Sequence, residues 1–114
     1  MSLQISIRKH DAITILELQG KIVLGASADS LSSRLQDSIA EGARRILVIM
    51  AGVTQMDTTG ISTIVRAYVG MERQGGKLVL VSLPDRVRML LEMTRLLNVI
   101  PSFPSEPEAL ASLR

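Results

Sequence analysis

The chain has 114 residues, 46% of them apolar but only 2% aromatic, no cysteine, and a net charge of +2 from 13 basic and 11 acidic groups. That length suits one domain whose core is built from aliphatic side chains, and the apolar share excludes a disordered chain. The lack of cysteine excludes disulfides and thiolate chemistry and leaves a reducing compartment unopposed.

Leu3, Ile5 and Ile7 alternate with Gln4, Ser6 and Arg8, which predicts a half-buried strand at a sheet edge. No apolar leader stands in Met1 to His10, so no cleaved signal peptide is expected. Lys9-His10-Asp11 reads as a turn into a second strand, Ala12 to Leu18, ending at Gly20, with a short extended piece from Lys21 to Leu24. A helix follows from about Ser27 to Glu41, its apolar face formed by Ala28, Leu31, Leu35 and Ile39. Ser27 or Asp29 is its expected cap and Gly42 its left-handed stop.

Ile46 to Met50 is continuously apolar, as a central strand covered on both faces requires. The run ends at Ala51, far short of a membrane span, so a soluble cytoplasmic protein is expected. A second helix fits Thr59 to Gln74, with Ile61, Ile64, Val65, Tyr68 and Met71 inward and Gly75-Gly76 as its stop. Leu78 to Val81 is another buried strand, expected beside Ile46 to Met50. Leu83-Pro84-Asp85 opens a third helix reaching about Thr94. Asn98 to Ile100 is expected as a last short strand, Pro101 and Pro104 bracket a loop, and Glu106 to Leu113 is a closing helix with Pro107 in its first turn. Alternating strands and helices imply an α/β fold, with an open mixed β-sheet, an antiparallel N-terminal edge and about four helices.

Catalytic chemistry finds little support. His10, the lone histidine, sits in a turn without a nucleophile beside it, and the acids are scattered, so no catalytic residue, metal or cofactor is expected. No phosphate-cradling glycine loop occurs. The pI of about 9.5 raises nucleic-acid binding. Yet basic and acidic residues interleave, as in Asp85, Arg86 and Arg88, and almost no aromatic is present to stack on bases. No direct nucleic-acid contact is expected.

The segment from Ala51 to Gly60 is different, since Asp57, Thr58, Thr59 and Gly60 stand between a buried strand and a helix. Open α/β sheets present functional loops there. Free N–H groups and the positive end of the helix dipole would accept an added phosphate. A plain N-cap role for Asp57 or Thr58 stays open at this level.

From Ile46 through Asp57-Thr58-Thr59-Gly60-Ile61, the sequence resembles the STAS domain of sulfate-transporter tails and bacterial anti-sigma factor antagonists. The likeness continues through Tyr68, Gly75-Gly76-Lys77-Leu78 and Leu83 into Leu90 to Leu96, covering essentially the whole chain as one domain, 1–114. The resemblance implies a non-enzymatic switch of transcription whose phosphorylation site is Thr58, within the motif Asp57, Thr59 and Gly60. Its implied partner is an anti-sigma factor that is also a serine/threonine kinase. The unmodified antagonist binds that kinase and frees the sigma factor, phosphorylation releases it, and a metal-dependent serine/threonine phosphatase resets it. Gln55, Met56, Ser62 and Arg66 are expected to form the partner face around Thr58, with Met56 in an exposed loop and Ser62 and Arg66 one helical turn apart. Two other readings share the fold. One is a constitutive scaffold subunit of a transport or stress-signalling complex, which Val23 and Met50 favour because antagonists more often carry acidic or amide residues there. The other is a nucleotide-binding domain.

Overall fold

Alternation along the central strands shows why their sequence is apolar without a break. The computed structural model describes residues 3–114, so the expected bounds of 1–114 include two residues outside it. Five strands, β1 (Leu3–His10), β2 (Ile13–Ile22), β3 (Arg45–Met56), β4 (Lys77–Val81) and β5 (Ser102–Phe103), form one sheet in sequential order. β1 is antiparallel to β2, and the remaining pairs are parallel. Four α-helices interleave: α1 (Ala26–Ala40), α2 (Thr58–Arg73), α3 (Asp85–Met93) and α4 (Glu106–Ser112). On one face Leu16, Leu18, Ile46, Val48, Met50 and Leu80 pack against buried residues of α1, α2 and α3. On the other Ile13, Ile15, Leu47, Ile49, Val79 and Val81 meet Ala109 and Leu113 at α4. Successive strand residues point to opposite faces, so burial on both sides demands an apolar residue at every position. β3 and β4 are register neighbours from Arg45–Lys77 to Ile49–Val81, as expected for adjacent central strands.

The second face is covered only in part. Beyond α4, Gln4, Ser6, Glu17, Gln19 and Lys21 of β1 and β2 are exposed, while Leu3 and Ile5 pack against the main core. This is the half-buried edge that the alternating sequence implies.

Several boundaries differ from expectation. β2 runs through Gly20 to Ile22, absorbing half of the extended piece. Gly25 is the N-cap of α1 and no side chain caps it. The Ser27 hydroxyl instead exchanges hydrogen bonds of 3.0 Å with the N–H and carbonyl of Val23, tying the loop to the helix. Gly42 adopts φ +100° at the end of α1, as its stop position requires. The expected strand at Asn98 to Ile100 does not form. Leu96–Asn98 is a 3-10 turn, and the fifth strand is Ser102–Phe103 between the two prolines. The carbonyls of Pro101 and Phe103 accept from the N–H groups of Leu80 and Ser82, both at 2.9 Å. Proline can offer that carbonyl although it has no N–H.

Candidate functional site

The Thr58 segment is not a loop attached to a short strand. β3 continues to Met56, and two register shifts against β2 carry it there. Glu17 faces Ile49 but Gln19 faces Gly52, and Gly20 faces Val53 but Lys21 faces Gln55. β3 therefore spends one extra residue at each shift, and such bulges turn a strand and re-aim its side chains. Met56, expected in an exposed loop, is the last residue of β3 and is half-buried against the main core. Bulging keeps its thioether over the apolar layer.

Asp57 then ends the strand and caps α2. Its Oδ1 accepts from the Gly60 N–H at 2.9 Å, and its Oδ2 accepts from the Leu24 N–H at 2.9 Å. Its own N–H donates to the Ile22 carbonyl at 3.3 Å. One side chain thus joins the end of β2, the loop after it and the first turn of α2. The hydrogen bonds from Leu24 and then Gly60 stabilise the carboxylate and hold its pKa below the ordinary value of 3.8.

Gly60 completes the junction by close approach. A Cβ there would run into the Ile22 carbonyl oxygen and would stand 3.0 Å from the Met56 Cγ. Only glycine lets the helix start lie this close to β2.

Thr58 is the first residue of α2 and is exposed. Asp57 has taken the capping position, and among the described residues the Thr58 hydroxyl makes no hydrogen bond. The choice of cap that the sequence leaves open is therefore resolved for Asp57. Thr59 is half-buried, and its carbonyl accepts from the buried Thr63 hydroxyl at 3.0 Å. Gln55, Ser62 and Arg66 are exposed. Thr58, Ser62 and Arg66 recur every four residues along α2, which places them on one stripe of the helix.

Sequence reasoning missed Leu24. It is 77% exposed, yet its N–H is held by Asp57, so an apolar side chain stands beside the Thr58 turn. Its one signal was that the apolar run Ile22-Val23-Leu24 reaches right up to Gly25, beyond what the strand needs. His10, by contrast, is remote from this junction. Its Nε2 lies 3.6 Å from Asp11 Oδ2 at the surface of the β1–β2 turn. Among the described residues no group of three histidines or carboxylates is arranged to hold a metal ion, and no helix is long and apolar enough to cross a membrane.

Known proteins share this fold. The family model described as "STAS domain" matches residues 4–109. The anti-sigma F factor antagonist of Paenibacillus polymyxa is 25% identical over 114 residues, covering 99% of this chain and 97% of its own. An anti-sigma factor antagonist from Mycobacterium paratuberculosis superposes with a TM-score of 0.90 at 18% identity, covering 99% of this chain and 95% of its own. The Bacillus cell fate determinant SpoIIAA in its phosphorylated form gives a TM-score of 0.77 at 16% identity, covering 97% of this chain and 100% of its own.

Proposed function

The chain belongs to the STAS domain family, and from that premise we propose that it is a phosphorylation-switched anti-sigma factor antagonist with Thr58 as its acceptor. The single observation that carries this reading is the division of labour at the start of α2. Asp57 satisfies the helix cap and pins the loop, leaving the neighbouring Thr58 hydroxyl exposed and without a hydrogen bond. Beyond the Asp57 cap, which takes the Gly60 N–H, α2 has no acidic residue in its first turn, so the remaining free N–H groups there can receive a phosphate. A relative of the same fold has been solved in a phosphorylated form, which supports a scaffold able to carry the group.

The partner is an anti-sigma factor with serine/threonine kinase activity, and the domain, residues 1–114, acts on it in the cytoplasm by binding, without chemistry of its own. Leu24, Gln55, Ser62 and Arg66 surround Thr58 as the docking face, with Met56 supporting it from below. Unmodified, this face engages the kinase. Phosphorylation adds about −1.5 to −2 charges. Desolvating that charge beside Asp57 in a packed interface is costly, so the kinase is released. A metal-dependent serine/threonine phosphatase restores the binding form.

Incubation with the anti-sigma kinase and ATP, followed by mass spectrometry, tests this directly. One phosphate should appear on Thr58, be lost in Thr58→Ala, and persist in Thr59→Ala. Thr58→Asp and Thr58→Glu should weaken kinase binding, while Thr58→Ala should bind permanently. Phosphate on Thr59 refutes the assignment. Stable kinase binding without any phosphorylation refutes the switch and leaves a constitutive scaffold.

A further inference from the structure

At the end of the sheet opposite Thr58 lies a cavity of about 760 Å³, within the range of roughly 300–1,000 Å³ that holds small ligands. Lys9, Arg34, Arg44, Arg45, Lys77 and Arg114 line it, brought together from separate stretches of the chain. Asp37 and Glu41 are its only carboxylate side chains. Six cations against two carboxylates give this wall an excess of four positive charges. The other seven cations and nine carboxylates leave the rest of the chain with two negative charges in excess. Positive charge that is interleaved with acids along the sequence is therefore concentrated at one end of the fold.

Two details set this concentration of exposed cations apart from the mixed charges elsewhere on the chain. Arg45 and Lys77 are direct register neighbours at the start of β3 and β4, and like charges facing each other across strands are destabilising. Neither they, nor Lys9 or Arg34, form an ion pair among the described residues, although Asp37 and Glu41 line the same cavity. Arg44 is fixed in place without a carboxylate partner among the described residues. Its guanidinium donates to Gln74 Oε1 at 3.0 Å and to the Ala43 carbonyl at 3.2 Å. The C-terminal ends of α1 and α2 also point here, but their dipoles supply only about half a negative charge each. They cannot balance the excess.

We infer that this cavity binds a small polyanion carrying linked phosphates. A multivalent anion neutralises several of these cations at once and relieves the repulsion between Arg45 and Lys77. The cavity walls include Ile7, Ala12 and Leu113 but no aromatic side chain, so the phosphates rather than a stacked base are the recognised part. Thr58 begins α2 and Gly75 lies just past its end; 16 residues of helix, about 24 Å at 1.5 Å per residue, separate the two sites. This binding site stands or falls independently of the phosphorylation switch.

Titration of the full chain with inorganic tripolyphosphate and with ATP at physiological ionic strength, followed by amide NMR, tests the inference. The Gly42, Ala43 and Gly75 amides should shift. The double variant Arg45→Glu/Lys77→Glu should weaken binding by roughly tenfold or more, since it reverses both facing charges. Arg86→Glu/Arg95→Glu changes the net charge equally at exposed positions outside the cavity and should leave binding nearly unchanged. Circular dichroism confirms that both pairs fold. Similar affinity for both probes supports linked phosphate as the recognised group, whereas binding of ATP alone makes the nucleoside the recognised part and overturns the inference. The inference is overturned if neither probe shifts these amides or if the control pair weakens binding as much. A nucleic-acid polymer that binds at these residues while tripolyphosphate has no effect overturns it too.

Discussion

Two glycines in α2 should respond oppositely to the same substitution. Replacing glycine by alanine inside a helix gains up to about 1 kcal/mol through lower backbone entropy and better helix propensity. At Gly70 nothing opposes that gain, because the new Cβ would meet only the Ile39 Cδ1 at 3.6 Å, an ordinary contact. At Gly60 the Cβ would collide with the Ile22 carbonyl and crowd the Met56 Cγ at 3.0 Å and the Ile22 Cγ2 at 3.1 Å. Overpacking of this kind costs about 1–3 kcal/mol, and a backbone carbonyl yields less readily than the end of a side chain. Moving the helix start would also lengthen the 2.9 Å bond from the Gly60 N–H to Asp57. Gly60→Ala should therefore lose about 1–2 kcal/mol, while Gly70→Ala should gain up to about 1 kcal/mol. Urea unfolding of both variants beside the parent measures the difference, with midpoints moving in opposite directions. Equal stabilisation at the two positions would refute the close approach of α2 to β2.

Asp57→Asn should destabilise the protein near neutral pH. The depressed pKa of the folded carboxylate makes its contribution fully present above the unfolded value near 3.8 and lost as pH falls through the lower folded value. Unfolding curves of parent and variant should accordingly converge only in acid; a constant gap down to pH 2 contradicts that linkage. Thr58→Ala should unfold within about 0.5 kcal/mol of the parent, because an exposed hydroxyl without a hydrogen bond stabilises little. A larger loss in thermal melts would show that Thr58 shares the cap. Leu24→Asp and Arg66→Glu should each reduce affinity for the anti-sigma kinase without unfolding the domain, as isothermal titration would measure. Unchanged affinity for both misplaces the docking face. Leu47→Ala should cost about 2–5 kcal/mol in urea unfolding, since Leu47 is fully buried beneath α4. A loss below about 1 kcal/mol, the scale of ordinary surface substitutions, contradicts that packing.

The central strands were legible because burial on both faces leaves an unbroken apolar run, as in Ile46 to Met50 and Leu78 to Val81. The continuation of β3 was not. Its residues after Met50 include Ala51, Gly52, Thr54 and Gln55, and its two bulges depend on register with β2, which local sequence does not encode. β5 escaped for a related reason: two residues between prolines become a strand only through the edge of β4. At the Thr58 junction the residue types were readable, but the holder of the cap was not. That depends on the Leu24 N–H, 33 residues away from Asp57. The basic cavity was hidden because neighbours in sequence mix charges, whereas the fold collects cations from distant segments.

The single helix on the second face bears on how the protein comes apart. α4 has only seven residues, too few to persist alone in water, where isolated helices need about 12–15. Ala109 and the capping Leu113 are its fully seated apolar contacts, and its ion pair, Glu106 with Arg8 at 2.7 Å, is largely exposed. Such a pair adds little, about 0–1 kcal/mol. α4 should detach as a unit while the main core stays closed, so amide protons beneath it exchange through a partial opening rather than global unfolding. In that opened form Ile15, Leu47, Ile49 and Val79 lose their cover while the strands remain paired. The aggregation hazard of this protein is then a native-like sheet with one apolar face uncovered, and its concentration is governed by two turns of helix.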